Sequence, residues 1–108
     1  MKITYKIEEV NGRFILTDST DNYETFFRRA NAEKAMSHWK LEHKHREMSY
    51  KGNTIQRAKI ALAFLLSGDT DSRVYDNCFE MGDGHLVAAH LTILADKAGI
   101  KYPPESEL

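Results

Sequence analysis

An α+β fold, a small N-terminal three-stranded antiparallel sheet followed by four helices around a central apolar helix at residues 54–66, is predicted by three features of the 108-residue chain. Ile3, Tyr5 and Ile7 alternate with Lys2, Thr4, Lys6 and Glu8, the period-two pattern of a half-buried strand. Asn11-Gly12 separates that run from a second apolar run at 14–17, and this pair accepts the positive φ angles of a type I′ turn in a two-residue hairpin. From 54 to 66 the period becomes helical: Ile55, Ala58, Leu62, Leu65 and Leu66 share one face, while Ile60 and Phe64 fall on the opposite one. Such a helix asks for cover on both sides, because each exposed Leu or Phe forgoes about 1.5–3 kcal/mol of burial.

The other elements follow from local signals. A polar turn at 18–22 leads into a third strand at 23–28, which completes an antiparallel meander. Asn31 is a suitable N-cap for a helix over 32–48, with Ala32, Ala35, Met36, Trp39 and His43 on the arc that packs on the sheet. Residues 49–52 connect to the central helix, which Asn53 or Thr54 can cap and Ser67-Gly68 can end. Asp69, Thr70, Asp71 and Ser72 offer capping oxygens for a short helix up to Met81, lined inside by Val74, Cys78 and Met81. Gly82-Asp83-Gly84 breaks it. Asp83 is expected to cap a last helix ending at Ala98, with Val87, Leu91, Leu94, Ala95 and Ala98 on one face and Leu86 and Ile93 on another. Gly99 reads as its C′ residue, and Pro103-Pro104 forbids further helix. The expected organisation is one compact domain over 1–102 with a short flexible tail over 103–108.

Charge is balanced overall and uneven along the chain. Lys and Arg number 15 against 16 Asp and Glu, for a formal net charge of −1, which calls for neither nucleic acid nor an anionic membrane. Residues 1–27 hold 3 basic against 5 acidic side chains, 28–51 hold 7 against 3, and 52–108 hold 5 against 8. Cys78 is the only cysteine, so no internal disulfide can form. The start of the chain lacks the continuous apolar stretch of a secretory leader, and the longest apolar run, 60–66, is far short of the roughly 20 residues a membrane helix needs. These observations predict a soluble, cytoplasmic protein with no membrane partner.

Signals for chemistry are thin. Asp69, Asp71 and Glu80 match positions 1, 3 and 12 of a calcium loop, but Arg73 and Val74 stand where an oxygen ligand and the turning glycine belong. The histidine spacings 38/43, 43/45 and 85/90 put no local pair on one helical face at i, i+4, so no metal site is expected. Cys78 falls on an apolar arc, where a thiol is inert, and Asp83 beside His85 is read as a helix cap before an acid/base pair. No cofactor motif is present, and no enzymatic activity is expected.

The surface with directional character is the basic helix. Lys34, His38, Leu41 and His45 form one stripe flanked by Lys40 and Lys44, Arg28 and Arg29 precede it, and Lys51 follows. Such a face can meet an acidic protein patch or neutralise phosphates. Leu41 among those charges favours a protein partner.

Residues 3–45, strand, Asn-Gly turn, strand, strand and then NAEKAMSHW, resemble in outline the three-stranded-sheet-plus-helix modules at the N-termini of phage-type tyrosine recombinases. The resemblance lies in element order and an Ala/Glu-rich helix carrying Trp39. In that family the sheet is basic and enters a DNA groove, whereas acidic residues outnumber basic ones over 1–27 here, and the remaining chain is too short for the recombinase catalytic residues.

The sequence therefore predicts a small cytosolic, non-enzymatic protein that acts through protein–protein interaction as a regulator, inhibitor or adaptor, with a mobile-element source and a homodimer both compatible. Its expected contact residues are Arg28, Arg29, Lys34, His38, Lys40, Leu41, Lys44 and His45. The alternative is a nucleic-acid-binding regulator that uses the basic helix over 31–51.

Overall fold

The computed structural model describes residues 2–102. The expected tail at 103–108, with Pro103-Pro104, lies outside the described residues. Two compact units divide the chain, residues 1–43 and 44–108.

The first unit begins with a three-stranded antiparallel sheet of order β1-β2-β3: β1 is Tyr5–Val10, β2 Arg13–Asp18 and β3 Tyr23–Phe26. Val10 pairs with Arg13 across the hairpin, and Asn11 and Gly12 have φ of 51° and 75°, the two positive angles a type I′ turn requires. Register then puts Tyr5, Ile7, Phe14, Leu16 and Asp18 on one face and Lys6, Glu8, Arg13, Ile15 and Thr17 on the other. The second turn is organised by Asp18, whose carboxylate accepts from the backbone and hydroxyl of Thr20 and from the backbone and side-chain amide of Asn22. Burial alone would raise the pKa of Asp18, but these donors outweigh it and hold the carboxyl at about 2.

Helix α1, Arg29–His45, starts before Asn31, so that residue is not its N-cap, and β3 ends earlier than expected. The helix also ends sooner. Residues 48–51, Met48–Lys51, form a separate turn α2, where the Ser49 hydroxyl donates to the Arg46 carbonyl at 2.6 Å in the gap between the two helices. Among the described residues there are thus five helices where four were expected.

In the second unit α3 is Thr54–Ser67, α4 Arg73–Asn77 and α5 Gly84–Lys97. Asn53 and Gln56 form a reciprocal capping box at the start of α3, and Gly68 closes it in the left-handed conformation. Ser72 caps α4 by accepting from Val74, and α4 stops well before Met81. The core joins Ala58, Ile60, Ala61 and Phe64 of α3, Val74, Tyr75 and Cys78 of the α4 segment, and Val87, Leu91 and Ala95 of α5. Fully buried Phe64, Leu91, Val87 and Val74 each contribute on the order of 1.5–3 kcal/mol of transfer free energy. On α3, Ala58, Ile60 and Phe64 are buried, whereas Ile55 is 50% and Leu66 60% exposed.

Candidate functional site

Helix α1 does not present the eight sequence-picked residues as one open stripe. Arg28, Arg29, Lys34, Lys40 and Lys44 are exposed, whereas His38, Leu41 and His45 are half-buried. Lys40 flanks the exposed stripe in the helical spacing, yet its ammonium lies 5.6 Å from the centre of the Tyr5 ring in β1. The reason is angular: Lys40 is one turn after Met36, close to the edge of the arc that covers the sheet. His45 sets its ring edge on Phe64, centroids 6.3 Å apart, and burial followed by the charge of Lys44 lowers its pKa. An imidazole so placed is a packing group more than a surface cation.

His43, assigned to the sheet-facing arc, does face the sheet. The Tyr5 hydroxyl is 2.5 Å from His43 Nδ1, the rings stack at 5.7 Å, and His43 Nε2 lies 3.9 Å from Asp18 Oδ2. The three side chains tie β1, β2 and α1 together. Beside them a shallow open depression is lined by Thr4, Tyr5, Lys6, Thr17, Asp18 and Ser19. Its polar groups are engaged: the Thr4 amide donates to the Ser19 hydroxyl at 3.0 Å, and Lys6 pairs with Glu8, which is not among the lining residues, at 2.9 Å.

Of the residues an enzyme would draw on, Asp83, His85 and Cys78, the first and last are engaged by the fold and His85 is exposed. Asp83 makes no side-chain cap on α5. Instead its two carboxylate oxygens accept a bidentate pair from Arg57 at 2.8 and 2.5 Å, and Oδ2 also accepts from the Thr54 hydroxyl at 2.9 Å. Arg57 further donates to the carbonyls of Gly52 and Cys78. Bonding to Arg57 holds the Asp83 carboxyl at about 2, and the same bond raises the pKa of Arg57. A buried cation demands such a partner, so a lone Arg inside an apolar helix was the signal that sequence reading passed over. Burial pushes the Cys78 thiol up to about 11, far from the thiolate a nucleophile needs. Glu80, the third member of the calcium-like spacing, is held bidentately by Arg73 at 3.0 and 2.8 Å.

Compared with known proteins, the chain matches no family model, no curated protein and no solved structure. Function must be read from surfaces.

Two exposed seams in the second unit are the most distinctive. On α3, Ile55, Lys59, Leu62 and Leu66 follow at intervals of four, three and four, and Leu86, His90, Ile93 and Lys97 repeat those intervals on α5. Alternating steps of four and three are the heptad spacing by which one helix offers a seam to another. Ile55, Leu66, Leu86 and Ile93 are 50%, 60%, 48% and 56% exposed, while Lys59 and Lys97 stand open beside them. The two helices pack on each other and begin side by side, because Thr54 and Arg57 both bond Asp83. Periodicity had marked these apolar residues, Ile55 and Leu66 as core and Leu86 and Ile93 as a separate face; which of them stays uncovered needed the packed helices.

Proposed function

We propose that this protein is a non-catalytic binding protein, acting in the reducing cytoplasm, whose partner is an amphipathic helix of another protein with carboxylates beside its apolar seam. What supports the reading is the repeated seam on α3 and α5, with about half of four large aliphatic side chains left uncovered and a lysine within each repeat. Covering those chains supplies affinity, and Lys59 and Lys97 favour an acidic partner over a second copy, which would bring like charge to the contact. This keeps the class of function that composition suggested and moves its apolar centre from half-buried Leu41 to the two seams.

Selection from a displayed library of amphipathic helices tests it, read out by titration calorimetry on the isolated binders. Acidic helices should emerge, Leu66→Ser and Ile93→Ser should each weaken them by more than about 1 kcal/mol while leaving stability within about 0.5 kcal/mol, and Lys59→Glu should invert the charge preference. A selection without binders, or binders indifferent to both serine changes, would reject the reading. So would a parent protein that sediments as a dimer through these residues.

A further inference from the structure

We propose that the corner of the first unit where β2 begins and α1 starts binds single-stranded nucleic acid, with Arg13, Arg28 and Arg29 on phosphates and Phe27 as the platform for one base. The site rests on strand register. Phe14 pairs with Phe26, so one rung further Arg13 stands opposite Phe27, and Arg28 and Arg29 follow directly in the chain. The Arg13 guanidinium carbon lies 4.8 Å from the centre of the Phe27 ring, and that of Arg29 lies 5.3 Å from the centre of the Phe14 ring. All three arginines are exposed, and Phe27 is 76% exposed even with Arg13 over it.

Charge neutralisation inside the fold does not account for the cluster. Among the described residues none of the three arginines is in an ion pair, although Glu9 pairs with Phe14 across the hairpin and Glu33 lies one turn after Arg29. Elsewhere in the chain Arg57 and Arg73 both take bidentate carboxylates. Three unneutralised guanidinium forks at one end of the sheet, Arg13 beside the uncovered Phe27 ring and Arg29 over Phe14 on the other face, suit a chain that wraps that end and joins anionic oxygens to flat apolar rings at short intervals. A single strand has that composition: its phosphates accept the forks, and an unstacked base can lie on the ring. A duplex offers phosphates but keeps its bases stacked, and an acidic peptide offers carboxylates with no flat ring for Phe27. The corner belongs to the first unit and the seams of α3 and α5 to the second, and the two share no residue, so either proposal can fail alone.

Fluorescence anisotropy with a labelled thymidine oligonucleotide of about ten residues, repeated over a series of salt concentrations, tests this. The parent should bind with a slope of log K on log salt of up to about −2, the value for three phosphates on a single strand. Phe27→Leu keeps apolar bulk and loses the flat face, so binding should weaken by about tenfold with the slope unchanged. Arg28→Gln, at an exposed position whose backbone carbonyl keeps its bond from the Ala32 amide whatever the side chain, should reduce the magnitude of the slope by about 0.7 with the melting temperature unchanged. Leu66→Ser should leave oligonucleotide binding as it is. No binding at low salt, a Phe27→Leu variant equal to the parent, or duplex DNA or polyglutamate bound as tightly as the single strand would each overturn the proposal, the last two assigning the arginines to a duplex or to an acidic protein.

Discussion

Between residues 1 and 43 the chain relies on strand pairing, on Asp18 and His43 bonding across elements and on arginines over phenyl rings, around the buried apolar groups Leu16 and Ala32. Between 44 and 108 it buries a continuous set of side chains from three helices and places one ion pair, Arg57 with Asp83, where α3 and α5 begin. A three-stranded sheet gains its uniqueness from register, which turn chemistry and alternation set locally. Helices have no such ladder between them, so complementary side chains from distant parts of the sequence must fix their arrangement.

The largest effect that would sharpen this contrast is expected from Phe64→Ala. The side chain is fully buried, so its loss should cost about 3–5 kcal/mol in chemical denaturation, through lost transfer free energy and the cavity left behind. A loss below 1 kcal/mol would show that the second unit is not organised around α3. Smaller, and specific to the first unit, is Gly12→Val. A β-branched residue at φ 75° is strained, and the hairpin should lose about 1–3 kcal/mol, seen in hydrogen exchange of the β1–β2 amides. Unchanged protection there would break the claim that turn geometry sets the register.

The smallest effect is shared by both units and appears only in acid. Asp18 and Asp83 each have a folded pKa of about 2 against an ordinary 3.8, so their contribution is fully present above 3.8 and is lost as pH falls towards 2. Unfolding in that window should release fewer bound protons than it takes up, by about one per carboxylate, and Asp18→Asn should remove the acid dependence of the sheet amides without touching that of the helices. Equal acid sensitivity of the Asp18→Asn variant and the parent in the sheet would contradict the role given to this turn.

Much of the local structure was legible because its causes are local. Alternation at 3–8, the Asn-Gly pair, the Asn53 cap and Gly68 need only neighbours a few residues away, and the structure has strands and helix ends at those places. The candidate contact surface was less legible. Lys34, His38, Leu41 and His45 share one stripe on a helical projection with Lys40 beside it, yet Lys40 lies over Tyr5, Leu41 is half-buried and His45 meets Phe64.

By itself the sequence determined the α+β class, the hairpin and its register, and the burial of Cys78, since turn geometry and hydrophobic period act over short spans. Only the tertiary structure decided that Arg57 would spend its charge on Asp83, that Ile55 and Leu66 would stay exposed while Ile60 and Phe64 were buried, and that Arg13 and Phe27 would meet. Each of these depends on which distant surface arrives to cover a side chain. A helix with apolar groups on both sides can name the candidates for burial, but the partners that reach it choose among them.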